Sequence, residues 1–313
     1  MTYERIDLKY DRTTGVGGSD AAAAIGQTTW KSPLKLWLEK TGRETPDDLS
    51  ADERIYWGTR LEAVVISEFA LHHPEYAVWQ PERAYRSTVY PWATATPDAL
   101  LEGLEDATGV LEVKTADGTF RKQYKAGEIP MQYRVQLLHN MAVLDASFGW
   151  LAVLVGGNTY FEFELKRDAV IDAEIARLME LESQFWTLVE ADQSPKLVGI
   201  KDEGRALATL YPDPDTTVIN ETSDEVITAV LDYVEAAEAI REAEAVKALS
   251  ANIIKSAIGD NYGLTTGLYR MTWLRKEAEK LDTKRLKAEK PEVFRAYQKT
   301  YIHDSGIRFR EVE

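Results

Sequence analysis

Asp98, Glu112 and Lys114 are the residues whose types and spacing can do chemistry. Glu112 and Lys114 stand one residue apart in "GVLEVKTADG", residues 109–118. Val110, Leu111 and Val113 give this run the pattern of a buried strand, and Ala116-Asp117-Gly118 reads as a turn. Side chains alternate between the faces of a strand, so Glu112 and Lys114 point the same way and Val113 the other. Alone, such a pair reads by default as a solvated ion pair of small energetic weight. Upstream, "ATATPDALLEG" places Pro97-Asp98 at a strand end, from which the chain turns back into the strand of Glu112. Two neighbouring strands can bring Asp98 and Glu112 onto one divalent cation, with Lys114 beside it. That is chemistry for phosphodiester hydrolysis. Two carboxylates hold magnesium against the scissile phosphate, and the metal polarises a phosphoryl oxygen and acidifies a water. An ammonium orients that water or stabilises the charge that develops on the phosphorus oxygens.

The bulk composition is consistent with this. There is no cysteine, which excludes disulfides, zinc–thiolate sites, iron–sulfur clusters and cysteine nucleophiles together. A metal must then be held by oxygen or by His72, His73, His139 or His303, and oxygen suits magnesium, calcium or manganese. The 313 residues are 44% hydrophobic and 10% aromatic, enough for a sizeable core. The formal charge of −15 argues against a general nucleic-acid coating protein, though not against an enzyme that grips DNA in one local groove. The acid is concentrated in residues 1–195, whereas 266–299 is basic. No apolar run has the length of a membrane span and "MTYERIDLKYDR" has no signal-peptide pattern, so the expected location is the cytoplasm, the host's if the chain is phage-encoded.

The elements that must position these residues follow from periodicity and punctuation. Residues 1–14 read as an irregular lead-in, and "GVGGSDAAAAIG" as a glycine-rich turn opening a helix that Ser19 or Asp20 can cap. "SPLKLWLEKTG", 32–42, is a helix with Ser32 as cap and Pro33 at its first position, ending at Gly42. Residues 51–74 form a longer helix stopped by Pro74, with Leu61, Val64, Val65, Glu68 and Phe69 at helical spacing. "AVWQPERAYRS", "WATATPDALLEG", "GVLEVKTA", "FGWLAVLVGG" and "TYFEFELKRD" read as strands, with a helix at 130–146 between two of them and an amphipathic helix at 169–192. This order predicts an α/β core with a mixed sheet. Residues 193–217 are polar and proline-bearing, a boundary or a loop. Beyond them the pattern predicts a long helix at 222–258, a hairpin at 262–276, short helices at 282–301 and a closing strand "GIRFREVE".

The Pro-Asp, spacer, Glu-x-Lys arrangement resembles the signature of PD-(D/E)xK nucleases. "GVGGSDAAAAIGQTTWKSPLKLWLEKTG", "WGTRLEAVVISEF", "ATATPDAL", "LEVKTA" and "IPMQYRVQLLHNMAVL" stand in the order and spacing of the YqaJ-like viral recombinase family, which is similar to the exonuclease of phage lambda. Five motifs in register are specific where any one is not. The resemblance implies a restriction-endonuclease-like core over 1–195, a central mixed sheet flanked by helices, and a C-terminal helical region with a hairpin over 196–313 that docks DNA or a partner. It implies a magnesium-dependent 5′–3′ exonuclease on double-stranded DNA ends, with manganese as a substitute ion. The 3′ single strand left behind would go to a single-strand annealing protein in phage-type recombination, and the chain would form a homo-oligomer, a ring-shaped trimer.

By the same resemblance, Asp98, Glu112 and the backbone carbonyl of Val113 hold the metal, and Glu62 helps hold a second metal or its waters. Lys114 faces the attacking water and Gln136 supports that water or a phosphate. Arg12 and Ser19, seven residues apart, belong to a pocket for the 5′-phosphate. The residues themselves agree with that last assignment, since Ser19 and the amides of Gly17 and Gly18 lie at the predicted start of a helix, a natural phosphate site. Two positions depart from the family pattern: Asp98 is followed by Ala99 rather than glycine, and Gln136-Leu137-Leu138 replaces Gln-x-Gln. A DNA-encircling ring also needs a basic lining, for which Lys31, Lys35, Arg60, Arg121, Lys122 and Lys125 are candidates. His139 reads as structural and the tryptophans mostly as core. The rival readings are an endonuclease on the same core and a DNA-end-binding recombination scaffold.

Overall fold

In the computed structural model, residues 2–49, 51–103, 108–212, 217–277, 279–298 and 307 are described. The chain divides into two compact units, Met1–Pro212 and Asp213–Glu313.

The first unit holds β1 (Tyr3–Ile6), β2 (Val16–Gly17), α1 (Gly18–Ala24), α2 (Pro33–Lys40), α3 (Glu53–His72), β3 (Ala77–Trp79), β4 (Ala84–Ser87), β5 (Ala93–Ala95), β6 (Ala99–Glu102) and β7 (Thr108–Ala116). It continues through α4 (Arg121–Lys125), α5 (Met131–Leu144), β8 (Phe148–Val155), β9 (Thr159–Lys166), α6 (Ala169–Glu190) and α7 (Asp202–Leu210). The central sheet has the order β3-β6-β7-β8-β9, with β7 and β8 parallel and the other neighbours antiparallel. α4 and α5 make the crossover that a parallel pair requires. The fold is thus a mixed α/β core, as the sequence pattern predicts.

A second, four-stranded sheet of order β1-β4-β5-β2 was not legible in the sequence. The supposed lead-in contributes β1, which pairs antiparallel with β4, with Tyr3 edge-on to Tyr85 at 5.3 Å. Residues 77–87, read as one strand, are two: β3 in the central sheet and β4 in the small one. Residues 92–103 divide in the same way into β5 and β6. Pro97 cannot donate a ladder hydrogen bond, and the chain crosses between sheets there.

The central sheet is covered on both faces. On one, Val135, Leu138 and Met141 of α5 pack with Val110, Leu151 and Val153. Gly149 permits this approach, because a Cβ there would lie 2.8 Å from the Met141 sulfur. On the other face Val65, Ile66 and Phe69 of α3 pack with Leu111, Val113 and Ala152.

The helix starts mostly obey local rules. Ser32 caps α2, accepting from the Lys35 amide at 3.0 Å, with Pro33 at the first position. Asp168 caps α6 through the amides of Val170 and Ile171. At α1 the expectation fails: the cap is Gly17 with no side-chain bond, and Asp20 pairs instead with Lys40 at 2.7 Å. α7 packs against α2, with Asp202 accepting from the Ser32 amide at 3.1 Å, so this compact unit runs on past residue 195.

The second unit contains α8 (Asp224–Ile258), the antiparallel hairpin of β10 (Gly263–Thr266) and β11 (Tyr269–Thr272), and the short helices α9 (Thr283–Glu289) and α10 (Pro291–Ala296). The predicted closing strand at 306–313 lies, except for Ile307, outside the described residues. No helix among the described residues is long and apolar enough to cross a membrane.

Candidate active site

β6 and β7 run antiparallel with Ala99 opposite Leu111, so the next step of the register sets Asp98 beside Glu112. The Val113 amide donates to Asp98 Oδ2 at 2.7 Å, which fixes this carboxylate at the edge of β7. Along β7 the side chains alternate: Leu111 and Val113 enter the core under α3, and Glu112 and Lys114 face α5. A solvated surface pair is therefore not what forms. Glu112 is 1% exposed. Its Oε1 accepts from Lys114 and from Gln136, and its Oε2 accepts from Asn140 Nδ2 at 3.1 Å. Gln136 and Asn140 are one turn apart on α5, which puts both on the face that looks at β7.

One cavity of about 420 Å³ gathers these groups. Glu62, Asp98, Glu112, Lys114 and Gln136 line it, as do Arg12, Gly17, Gly18 and Ser19. Arg12 sits in a short 3-10 turn and Ser19 in the first turn of α1. α1 reaches this position because Gly18 has no side chain: a Cβ there would fall 2.6 Å from Asn140 Oδ1. Val113 contributes no side chain to the cavity, since its own is buried in the core.

The electrostatics follow from putting carboxylates out of water. Burial, reinforced by Asp98 and opposed by Lys114, pushes Glu112 up to about 7. Burial also raises Asp98, against the pull of Lys114 and the Val113 amide. Glu62 is raised by burial and by Asp98, while Gln80 Nε2 donates to its Oε1 at 3.1 Å. For Lys114 burial acts against the charge, but Glu112 and Asp98 outweigh it and the ammonium is held above its usual range. Among the described residues no three His, Asp or Glu side chains draw together as tightly as a metal shell. Glu112 instead commits both oxygens to Lys114, Gln136 and Asn140. The donor set nonetheless fits a hard divalent cation. It consists of carboxylate oxygens that repel one another and are penalised by burial, and a cation would relieve both effects.

Two residues gain roles that spacing alone did not suggest. Asn140 is 1% exposed and holds Glu112, while its Oδ1 is buried without a hydrogen-bond partner among the described residues. Its i+4 relation to Gln136 was the available signal. Asp20, considered as a helix cap, lines the cavity instead. His139 is structural as expected: Nδ1 meets Glu182 at 2.8 Å and Nε2 donates to the Thr94 carbonyl at 2.9 Å. Of the candidate basic-lining residues, Lys35 is buried against Glu44 and so is not free for DNA, and Lys31 pairs with Glu39 at 2.8 Å.

Comparison with known proteins places the chain among relatives. The YqaJ-like viral recombinase domain matches residues 8–147. The chain is similar to the protein YqaJ of Bacillus subtilis (strain 168), 30% identical over 309 residues, which is 97% of this chain and 94% of that protein. Among solved structures it is similar to an alkaline exonuclease, LHK-Exo, from Laribacter hongkongensis, at 20% identity and a TM-score of 0.47 over 64% of this chain and 96% of that one. It is also similar to a phage-related exonuclease from Haemophilus somnus 129PT, at 11% identity and a TM-score of 0.41 over 57% and 96%.

Proposed function

The chain belongs to the YqaJ-like viral recombinase family, and from that premise we propose that it is a divalent-metal-dependent deoxyribonuclease acting on the 5′ ends of double-stranded DNA. One observation carries the reading: an acidic group of Glu62, Asp98 and Glu112 shares a single cavity with Lys114, Gln136 and a wall of Arg12, Gly17, Gly18 and Ser19.

In this reading Asp98, Glu112 and the Val113 carbonyl would hold magnesium, and Glu62 would support a second ion or its waters. Manganese is the expected substitute. The ion supplies Lewis-acid stabilisation of the phosphoryl oxygens. The side chains do the rest. Arg12 and the Ser19 hydroxyl grip the terminal 5′-phosphate and set which bond faces the acidic group. Lys114, kept protonated by its carboxylate neighbours, orients the attacking water or stabilises the charge building on the scissile phosphate. Gln136 holds the water or a phosphate oxygen, and Asn140 fixes the second oxygen of Glu112. The 3′ strand left behind suits a strand-annealing partner, and a homo-oligomeric ring would keep the enzyme on its track.

Digestion of linear duplex with a 5′-phosphate, beside a closed circle, with magnesium and with EDTA, tests this. The expected result is magnesium-dependent loss of the linear DNA from its 5′ ends, an intact circle, and a fall of about a hundredfold or more for Lys114→Ala and Glu112→Ala. Cutting of the circle would make the chain an endonuclease, and binding of ends without cutting would make it a recombination scaffold.

A further inference from the structure

We propose that a groove next to the catalytic cavity is a subsite for single-stranded DNA. The inference rests on the nuclease reading for its place in the reaction, though not for its chemistry.

Trp79 at the end of β3 and Gln80, Glu82 and Arg83 on the way to β4, with Arg5 and Tyr85 from the small sheet, line a second cavity of about 670 Å³. Gln80 lines both cavities and donates to Glu62 of the catalytic one, so the two lie side by side. Trp79 is 43% exposed, so part of its indole is open to a ligand in the groove. Neither Arg5 nor Arg83 is ion-paired to another described residue, in a chain with 52 acidic and 37 basic residues. One acidic group, Glu82, shares the groove, which leaves it net positive beside a strongly acidic site.

An exposed indole flanked by unpaired guanidinium groups matches the chemistry of unpaired DNA. Bases stack on the aromatic face whatever their sequence, and guanidinium groups take the phosphates between them. A duplex end offers such a strand once its terminal pairs have opened. The groove therefore takes the few unpaired nucleotides next to the scissile bond, with a base on Trp79 and phosphates at Arg5 and Arg83.

Binding of a 3′-labelled, 5′-phosphorylated octathymidylate to the full chain in EDTA, followed by fluorescence anisotropy, reads this directly. Thymidine 5′-monophosphate binding is measured in parallel by calorimetry, and cleavage of linear duplex with magnesium as a third assay. Trp79→Ala and Arg83→Ala should weaken octathymidylate binding about tenfold, Trp79→Phe should largely retain it, and none should change thymidine monophosphate binding. Arg83→Ala should also lower the salt dependence of octathymidylate binding. Equal octathymidylate binding by Trp79→Ala and the parent chain overturns the proposal. Parallel loss of the monophosphate overturns it too, because the damage would then lie in the catalytic cavity. A parent chain that binds octathymidylate through Trp79 yet leaves linear duplex intact supports the subsite and overturns the nuclease reading instead.

Discussion

Burial of Glu112 among Lys114, Gln136 and Asn140 sets how the site should answer to pH. Its carboxyl, pushed up to about 7, is half protonated near neutrality, and a protonated carboxyl is a poor ligand for a cation. The sign for stability follows. A folded pKa above the ordinary value of 4.5 favours the folded chain below 4.5, and that contribution is lost as the pH rises through about 7. Binding of a cation restores it on the alkaline side. Magnesium should therefore raise the melting temperature more at pH 8.5 than at pH 6, and cleavage should climb with pH through about 7. Asn140→Ala removes a donor to the carboxylate and should move both profiles further to the alkaline side. Thermal melts with and without magnesium across this range check it, and coincident profiles for the two chains would take Asn140 out of the site. Asp98, Glu112 and Lys114 could be singled out from sequence because strand alternation and a Pro-Asp punctuation mark constrain them locally. Asn140 carried only its i+4 spacing from Gln136 as a signal, because its partner Glu112 lies across a crossover that no local rule specifies.

α5 shows how one element serves two masters. Gln136 and Asn140 look at β7, while His139, between them in sequence, looks the other way into α6 and β5. Burial opposes a charge on His139, but Glu182 outweighs it, and with a carboxylate on Nδ1 and a carbonyl on Nε2 the ring is held as the imidazolium above its ordinary value of 6.5. The pair pins α5 so that its other face meets Glu112. Its contribution to stability is fully present below pH 6.5 and is lost as the pH rises through the raised value. Glu182→Gln leaves a buried cation without its counter-charge and should cost about 3–5 kcal/mol, seen as a lower denaturant midpoint below pH 6.5 and a smaller deficit at high pH. The same deficit at every pH would make the contact simple packing. At this scale the sequence was readable for the helices, through periodicity and, at Ser32, the cap. It was misleading where short strands change sheets. β1 has little apolar patterning and β5 is three residues long, so period and length carry too little signal.

On the scale of the molecule, the two sheets meet around the cavity. The chain passes from one sheet to the other at residues 80–83 and again at 96–98. Gln80, Pro81, Thr96, Pro97 and Asp98 from these passages all line the site. Arg12 and Gly17 lie with the small sheet, and Glu112 and Lys114 on the large one. A DNA end seated between them would touch both halves at once and act as a rivet through a seam. Its terminal phosphate would be fastened on one side and its scissile phosphate on the other. Amide exchange in 93–95 and 99–102 is therefore expected to slow together when a 5′-phosphorylated oligonucleotide and magnesium bind. An oligonucleotide without the terminal phosphate, fastened on one side only, should leave the seam as free to breathe as before.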